Sequence, residues 1–187
     1  MIARLSRPRP ILALLGVLAI AIVILLSFGR PPICECGTVS LWGHVGPEQS
    51  QMLADWYSPS HIVHGFLFYA LLHVAAPRWP VERRFLVALI VEADWEIFEN
   101  TPMIIDRYRE ATIALGYSGD SVLNSMSDIL VMALGFWAAR CFPLWVSIVV
   151  VVLLELIPLL AIRDNLTLNV LMLVAPNDAI RIWQAGA

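Results

Sequence analysis

The sequence predicts an all-α integral membrane bundle of about five transmembrane helices, closed by a short C-terminal interfacial or re-entrant helix. Three observations predict it. Hydrophobic residues make up 59% of the 187 positions and charged ones only 14%, a balance unlike that of a soluble domain. The apolar residues gather into runs near the roughly 20 residues that cross a bilayer. The basic residues, all arginine, group at the ends of those runs, as they do in loops that stay in the cytoplasm. No basic patch with interleaved aromatics occurs, so the expected partner is the lipid bilayer and not nucleic acid.

Residues 1–28 read as an N-terminal membrane anchor. Arg4, Arg7 and Arg9 precede the apolar run from Ile11 to Phe28. That run is longer than the roughly 7–15-residue core of a secretory signal. Helix 1 is therefore expected to be retained, with its N-terminus in the cytoplasm. Residues 29–59 form an extracytoplasmic loop, with a surface helix expected from Pro47 to Tyr57. The loop holds Cys34 and Cys36; with Cys141 the cysteine count is odd, so at most one internal disulfide forms. A Cys-x-Cys pair fits a local structural feature better than a redox site.

Residues 60–176 form the polytopic domain. Helix 2 is expected from Ser60 to Pro77, then a basic turn with Arg78, Arg83 and Arg84, then helix 3 from Phe85 to Ile105. Asp106 to Gly119 reads as an external loop. Helix 4 runs from Asp120 to Phe142 and helix 5 from Pro143 to Ile162. The apolar stretch Leu166 to Pro176 is too short to span and supplies the interfacial helix. Residues 177–187 are a polar tail.

Helix 3 is the anomaly. It carries Glu92, Asp94, Glu96 and Glu99, and an ionised carboxylate at the bilayer centre costs roughly 3 kcal/mol even on the mildest scale. At about 100° per residue Glu92, Glu96 and Glu99 share one face, while Asp94 points nearly the opposite way. His61 and His64 are three apart on helix 2 and share a face with Gly65, which permits close helix approach. Asp120, Asn124 and Asp128 are spaced four apart on helix 4. Glu155 is the lone acid of helix 5. Under the predicted topology all of these lie in the outer half of the membrane, so one outward-facing polar cavity is expected. Asp94 is its internal control.

Several ordered motifs carry a resemblance. They are His61-Ile-Val-His64-Gly, Glu92-Ala-Asp-Trp-Glu96-Ile-Phe-Glu99-Asn, Tyr108-Arg109, Gly119-Asp120-Ser-Val-Leu-Asn124-Ser-Met-Ser-Asp128 and Arg163-Asp164-Asn165. The set resembles an uncharacterised family of bacterial multi-pass membrane proteins, over about Cys34 to Pro176. The resemblance implies a bacterial inner-membrane location and brings no activity with it. More distantly, His on one helix, Glu on the next and Asp/Asn on a third is similar to VanZ-like membrane proteins. The paired histidines and extra acids depart from that pattern.

Three functions compete. The first is a metal-dependent hydrolase or transferase acting on a lipid or lipid-linked substrate. Its divalent cation would be held by His61, His64, Glu96, Glu99 and Asp120, with Glu92 and Asp128 catalytic and Asn124, Arg107 and Arg109 meeting substrate. The second is a small proton-coupled transporter, weakened by the absence of internal repeats. The third is a structural or accessory protein whose polar groups bind helices together. Acids paired with Arg107 or Arg109 would favour the third.

Overall fold

A computed structural model describes residues 9–112 and 116–186; the flank bearing Arg4 and Arg7 lies outside them. Eight α-helices occur among the described residues, and no strand. They are α1 (Pro10–Ser27), α2 (Ser58–Ala75), α3 (Val81–Glu99), α4 (Pro102–Ala111), α5 (Val122–Cys141), α6 (Leu144–Ile162), α7 (Leu166–Val174) and α8 (Asp178–Gln184). Proline opens α1, α2 and α4, where its missing N–H is no loss. Asn165 and Asn177 cap α7 and α8 through their side chains.

Three helices are long and apolar enough to cross a membrane: α1, α5 and α6, with mean hydropathies of 2.9, 1.5 and 2.7. α2 and α3 match them in length, at 18 and 19 residues, but His61, His64 and His73 and the charges of α3 lower their hydropathy. α1 and α6 turn nearly all their apolar surface outward, and Pro158 is the one buried residue of α6.

The bundle is divided along its length. α2 and α5 run parallel and pack most closely, with α3 antiparallel beside them. At one end Phe85, Ala88 and Leu89 of α3 pack with Ile129, Met132 and Phe136 of α5 and Ala21 of α1 as a dry core. At the other end the same helices turn their polar residues toward one another. Between the two, α2 and α5 cross backbone to backbone. A Cβ added to Gly65 would strike the Met132 carbonyl, and one added to Gly135 would strike that of Ile62. Only glycine allows so close an approach.

Four sequence expectations are revised. The chain from Pro47 to Tyr57 is not a helix but an irregular strap with one 3-10 turn, Gln49–Gln51. Buried Gln51 holds it down: its Oε1 accepts from Glu35 N (2.8 Å), its Nε2 donates to Ser118 Oγ (3.2 Å), and its carbonyl accepts from Ser121 Oγ (3.0 Å). Helix 3 stops at Glu99 instead of reaching Ile105, because Pro102 forces Thr101 into extended backbone and then starts α4. The first part of the expected external loop, Asp106 to Ala111, is therefore helical, with Ile105, Tyr108 and Ala111 of α4 buried at spacings of three. The polar tail likewise contains α8. Cys34 and Cys36 form a disulfide within the loop.

The strap, α4, α7 and α8 make a cover over the polar end. Tyr57 donates to Asp164 Oδ2 (2.9 Å) and Gln184 to Asp164 Oδ1 (3.0 Å). Tyr108 donates to Asn169 Oδ1 (3.1 Å), and Arg107 clasps the Leu173 carbonyl with two N–H groups.

Candidate functional site

Beneath the cover lies a cavity of about 250 Å³. α2 supplies His61 and His64, one turn apart. α3 supplies Glu92, Glu96 and Glu99 from one face. α5 supplies Asn124 and Asp128, and Asp120 comes from the turn before it. Ser121, not Asp120, caps α5, accepting from Asn124 N at 3.1 Å. That leaves the Asp120 carboxylate for the cavity.

Glu92 is wholly buried and sits between the two imidazoles. His61 Nδ1 lies 2.7 Å from its Oε1, and His64 Nδ1 lies 3.0 Å from its Oε2. With both Nδ1 atoms protonated, each ring donates to one carboxylate and leaves Nε2 as a lone-pair donor. This carboxylate–imidazole pairing is how metal-binding histidines are held. His61 Nδ1 is also 3.4 Å from Glu96 Oε1, and His61 Nε2 is 3.8 Å from Asp128 Oδ2. Glu96 is 1% exposed, yet its Oε1 accepts no hydrogen bond from any described residue. A buried carboxylate oxygen in that state is costly unless a cation faces it.

Asp120 is oriented from two sides: Asn100 Nδ2 donates to its Oδ2 at 2.7 Å, and Tyr117 OH to its Oδ1 at 3.0 Å. Burial pushes its acid constant up to about 6, against the pull of those two hydrogen bonds. Burial also raises Tyr57 and Tyr117, reinforced by the carboxylates of Asp164 and Asp120, so both phenols stay protonated donors.

At the cavity, three groups of donors each offer one ligand atom within 4.8 Å of the others: His61/His64/Glu92, His61/Glu96/Asp128 and Glu96/Glu99/Asp120. His61 and Glu96 each belong to two groups. Among the described residues none of the cavity acids is ion-paired with an arginine.

Of the residues singled out in the sequence, the structure gathers His61, His64, Glu92, Glu96, Glu99, Asp120, Asn124 and Asp128 around one cavity. It leaves Arg107 and Arg109 outside the lining. Arg107 is spent on the Leu173 carbonyl and Arg109 on that of Tyr117. Glu155 does not join either, because its carboxylate binds the first amides of α7, Leu166 N and Thr167 N. Asp94 is exposed on the opposite face of α3, as its phase requires. Asn124 lines the cavity while its Nδ2 ties down the Met52 carbonyl (2.9 Å). Sequence reasoning missed Asp55 and Tyr57, which enter the cavity from the irregular strap, where no periodicity marks them.

Fold and site together define a class: an all-helical bundle, three of its helices apolar enough to cross a membrane, built around a buried histidine–carboxylate cluster. The chain belongs to the family described as protein of unknown function (DUF2585), which matches residues 25–186. A UPF0314 protein of Sphingopyxis alaskensis is 55% identical over 173 residues, covering 91% of this chain and 92% of its own length. One from Rhizobium meliloti is 52% identical over 178 residues, covering 94% and 90%. One from Novosphingobium aromaticivorans is 51% identical over 186 residues, covering 94% and 92%. No solved structure is significantly similar to the chain.

Proposed function

We propose that this protein is a metal-dependent hydrolase or transferase of the bacterial inner membrane, acting on a lipid or lipid-linked substrate. The observation that carries this reading is the convergence of His61, Glu96 and Asp128, from three helices, on one point, with a buried Glu96 oxygen that accepts no hydrogen bond from the described residues. A divalent cation held there would supply Lewis acidity to a substrate carbonyl or phosphoryl oxygen. Glu92 fits the orienting of both imidazoles better than the general base expected from sequence. Pairing of the cavity acids with Arg107 or Arg109 would have favoured the structural alternative; these arginines instead bind the carbonyls of Leu173 and Tyr117, with Arg109 also beside Asp106 outside the cavity.

In this reading α2 and α3 span with α1, α5 and α6. At about 1.5 Å per residue their lengths match the roughly 30 Å hydrocarbon core, and their polar faces are turned inward, as intramembrane charges require. The cover then lies on the outer side. One wall of the cavity is apolar, formed by Phe68, Val91, Trp95 and Val170. Val91 and Val170 are also exposed on the outer surface of the bundle. That wall suits an acyl or prenyl chain whose polar end reaches the carboxylates.

The test is metal analysis of the purified full-length protein beside a His61→Ala/His64→Ala variant. Wild type should retain stoichiometric divalent metal through gel filtration and the variant should retain less than a tenth as much. Wild type that binds no metal ends the reading.

Reporter fusions test the orientation separately. Fusion at Val81 should report the cytoplasm and fusion at Pro47 the exterior, following the arginines at 78, 83, 84 and 140. The reverse pattern would turn the cavity to the cytoplasm.

A further inference from the structure

We propose that the cavity binds two cations, the second held by oxygen atoms alone at Glu96, Glu99 and Asp120, with the Glu96 carboxylate shared between the two positions. This rests on the metal-dependent reading above and adds to it a second ion, with its ligand set and preferred metal.

The two donor groups His61/Glu96/Asp128 and Glu96/Glu99/Asp120 have Glu96 in common, and each brings its ligand atoms within 4.8 Å of one another. A carboxylate has two oxygens and can serve two ions about 3.5–4 Å apart, the spacing of two-metal hydrolytic centres. Glu96 meets the requirement for such a bridge. It is 1% exposed, lies between the two groups, and its Oε1 accepts no hydrogen bond from any described residue.

Charge gives an independent argument. Six carboxylates line the cavity, from Asp55, Glu92, Glu96, Glu99, Asp120 and Asp128, against the imidazoles of His61 and His64. Among the described residues no arginine is ion-paired with any of the six. With both imidazoles neutral, as ligation through Nε2 requires, and all six acids ionised, six negative charges line the cavity. One divalent cation leaves four of them and two cations leave two. Uncompensated charge in a buried site is strongly unfavourable, so the acid set favours a second cation over one alone.

The second position also has its supporting shell. Asn100 Nδ2 and Tyr117 OH both donate to Asp120 and fix its carboxylate, and Asn100 is anchored by accepting from Asp120 N at 2.8 Å. An all-oxygen set favours a hard ion such as Mg²⁺ or Mn²⁺, while the position bearing His61 suits a borderline ion.

The experiment is a Mn²⁺ titration of full-length protein in detergent after removal of metal with chelator, read by bound stoichiometry and electron paramagnetic resonance. Two Mn²⁺ per chain with an exchange-coupled spectrum are expected. Glu99→Gln and Asp120→Asn should each lower this to one and abolish the coupling, with elution volume unchanged. One Mn²⁺ per chain in wild type, lost in His61→Ala, overturns the second position and leaves the metal-dependent function standing. One Mn²⁺ that survives His61→Ala but is lost in Glu99→Gln overturns the shared arrangement. No bound Mn²⁺ in wild type overturns this inference, and metal analysis of the unchelated protein then decides the function itself.

Discussion

Gly135→Leu is expected to abolish accumulation of folded protein. A Cβ at this position meets the Ile62 carbonyl of α2, and one at Gly65 meets the backbone of α5, so neither helix can yield by rotating a side chain. Overpacking an ordinary core costs about 1–3 kcal/mol, sometimes more. Here the obstruction is main chain on the most extensive helix contact of the bundle, so the upper part of that range or beyond is expected. A domain holds only about 5–15 kcal/mol in total. Forcing α2 from α5 would also separate Ser58 and His61 from Asp128. Gly16→Leu is the control, since a Cβ at Gly16 meets nothing within 4 Å. Membrane-fraction abundance and monodispersity in detergent read the result. A Gly135→Leu protein that accumulates and elutes like wild type would show that the crossing is looser than described.

Glu96→Gln is expected to reverse its stability rank when metal is added. Without metal, wild type buries a carboxylate whose Oε1 accepts no hydrogen bond from the described residues, whereas glutamine has the same shape and no charge to desolvate. The variant should therefore melt at or above the wild-type temperature in chelator. A ligand at 100 times its Kd stabilises by about 2.7 kcal/mol. For a chain of this size that is a Tm rise of roughly 5–10 °C. Wild type should show the rise and Glu96→Gln should not. Asp94→Ala should behave as wild type in both conditions, because Asp94 faces away from the cavity. Thermal unfolding with and without Mn²⁺ decides the matter. Equal metal-induced shifts in wild type and Glu96→Gln would remove Glu96 from the site.

What was legible in the sequence was what a single helix carries within itself. The common face of Glu92, Glu96 and Glu99, the opposed phase of Asp94 and the His61/His64 pair follow from helical rotation alone, and the structure keeps each of them. Proline and length located the ends of α1, α5 and α6 to within a residue or two. What failed depends on partners distant in the chain. Arg107 and Arg109 look free for an anion until α7 and the turn at Tyr117 arrive to take their N–H groups. Glu155 reads as one more intramembrane acid until Leu166 and Thr167 fold back onto it. Asp55 and Tyr57 enter the cavity from backbone with no period to read. One miss was avoidable: Ile105, Tyr108 and Ala111 already showed the spacing of three that marks α4.

The placement of partners along the chain bears on how such a protein is made. His61 and Glu92 are 31 residues apart on adjacent antiparallel helices, so they leave the ribosome as one hairpin. Glu92 thus meets two imidazoles as soon as that hairpin closes. Asp128 and the glycine crossing follow only when α5 emerges, and Asp164 and Gln184 close the cover last. The order of synthesis is then also an order of charge compensation, in which each polar helix waits unpaired only for the time needed to translate its neighbour.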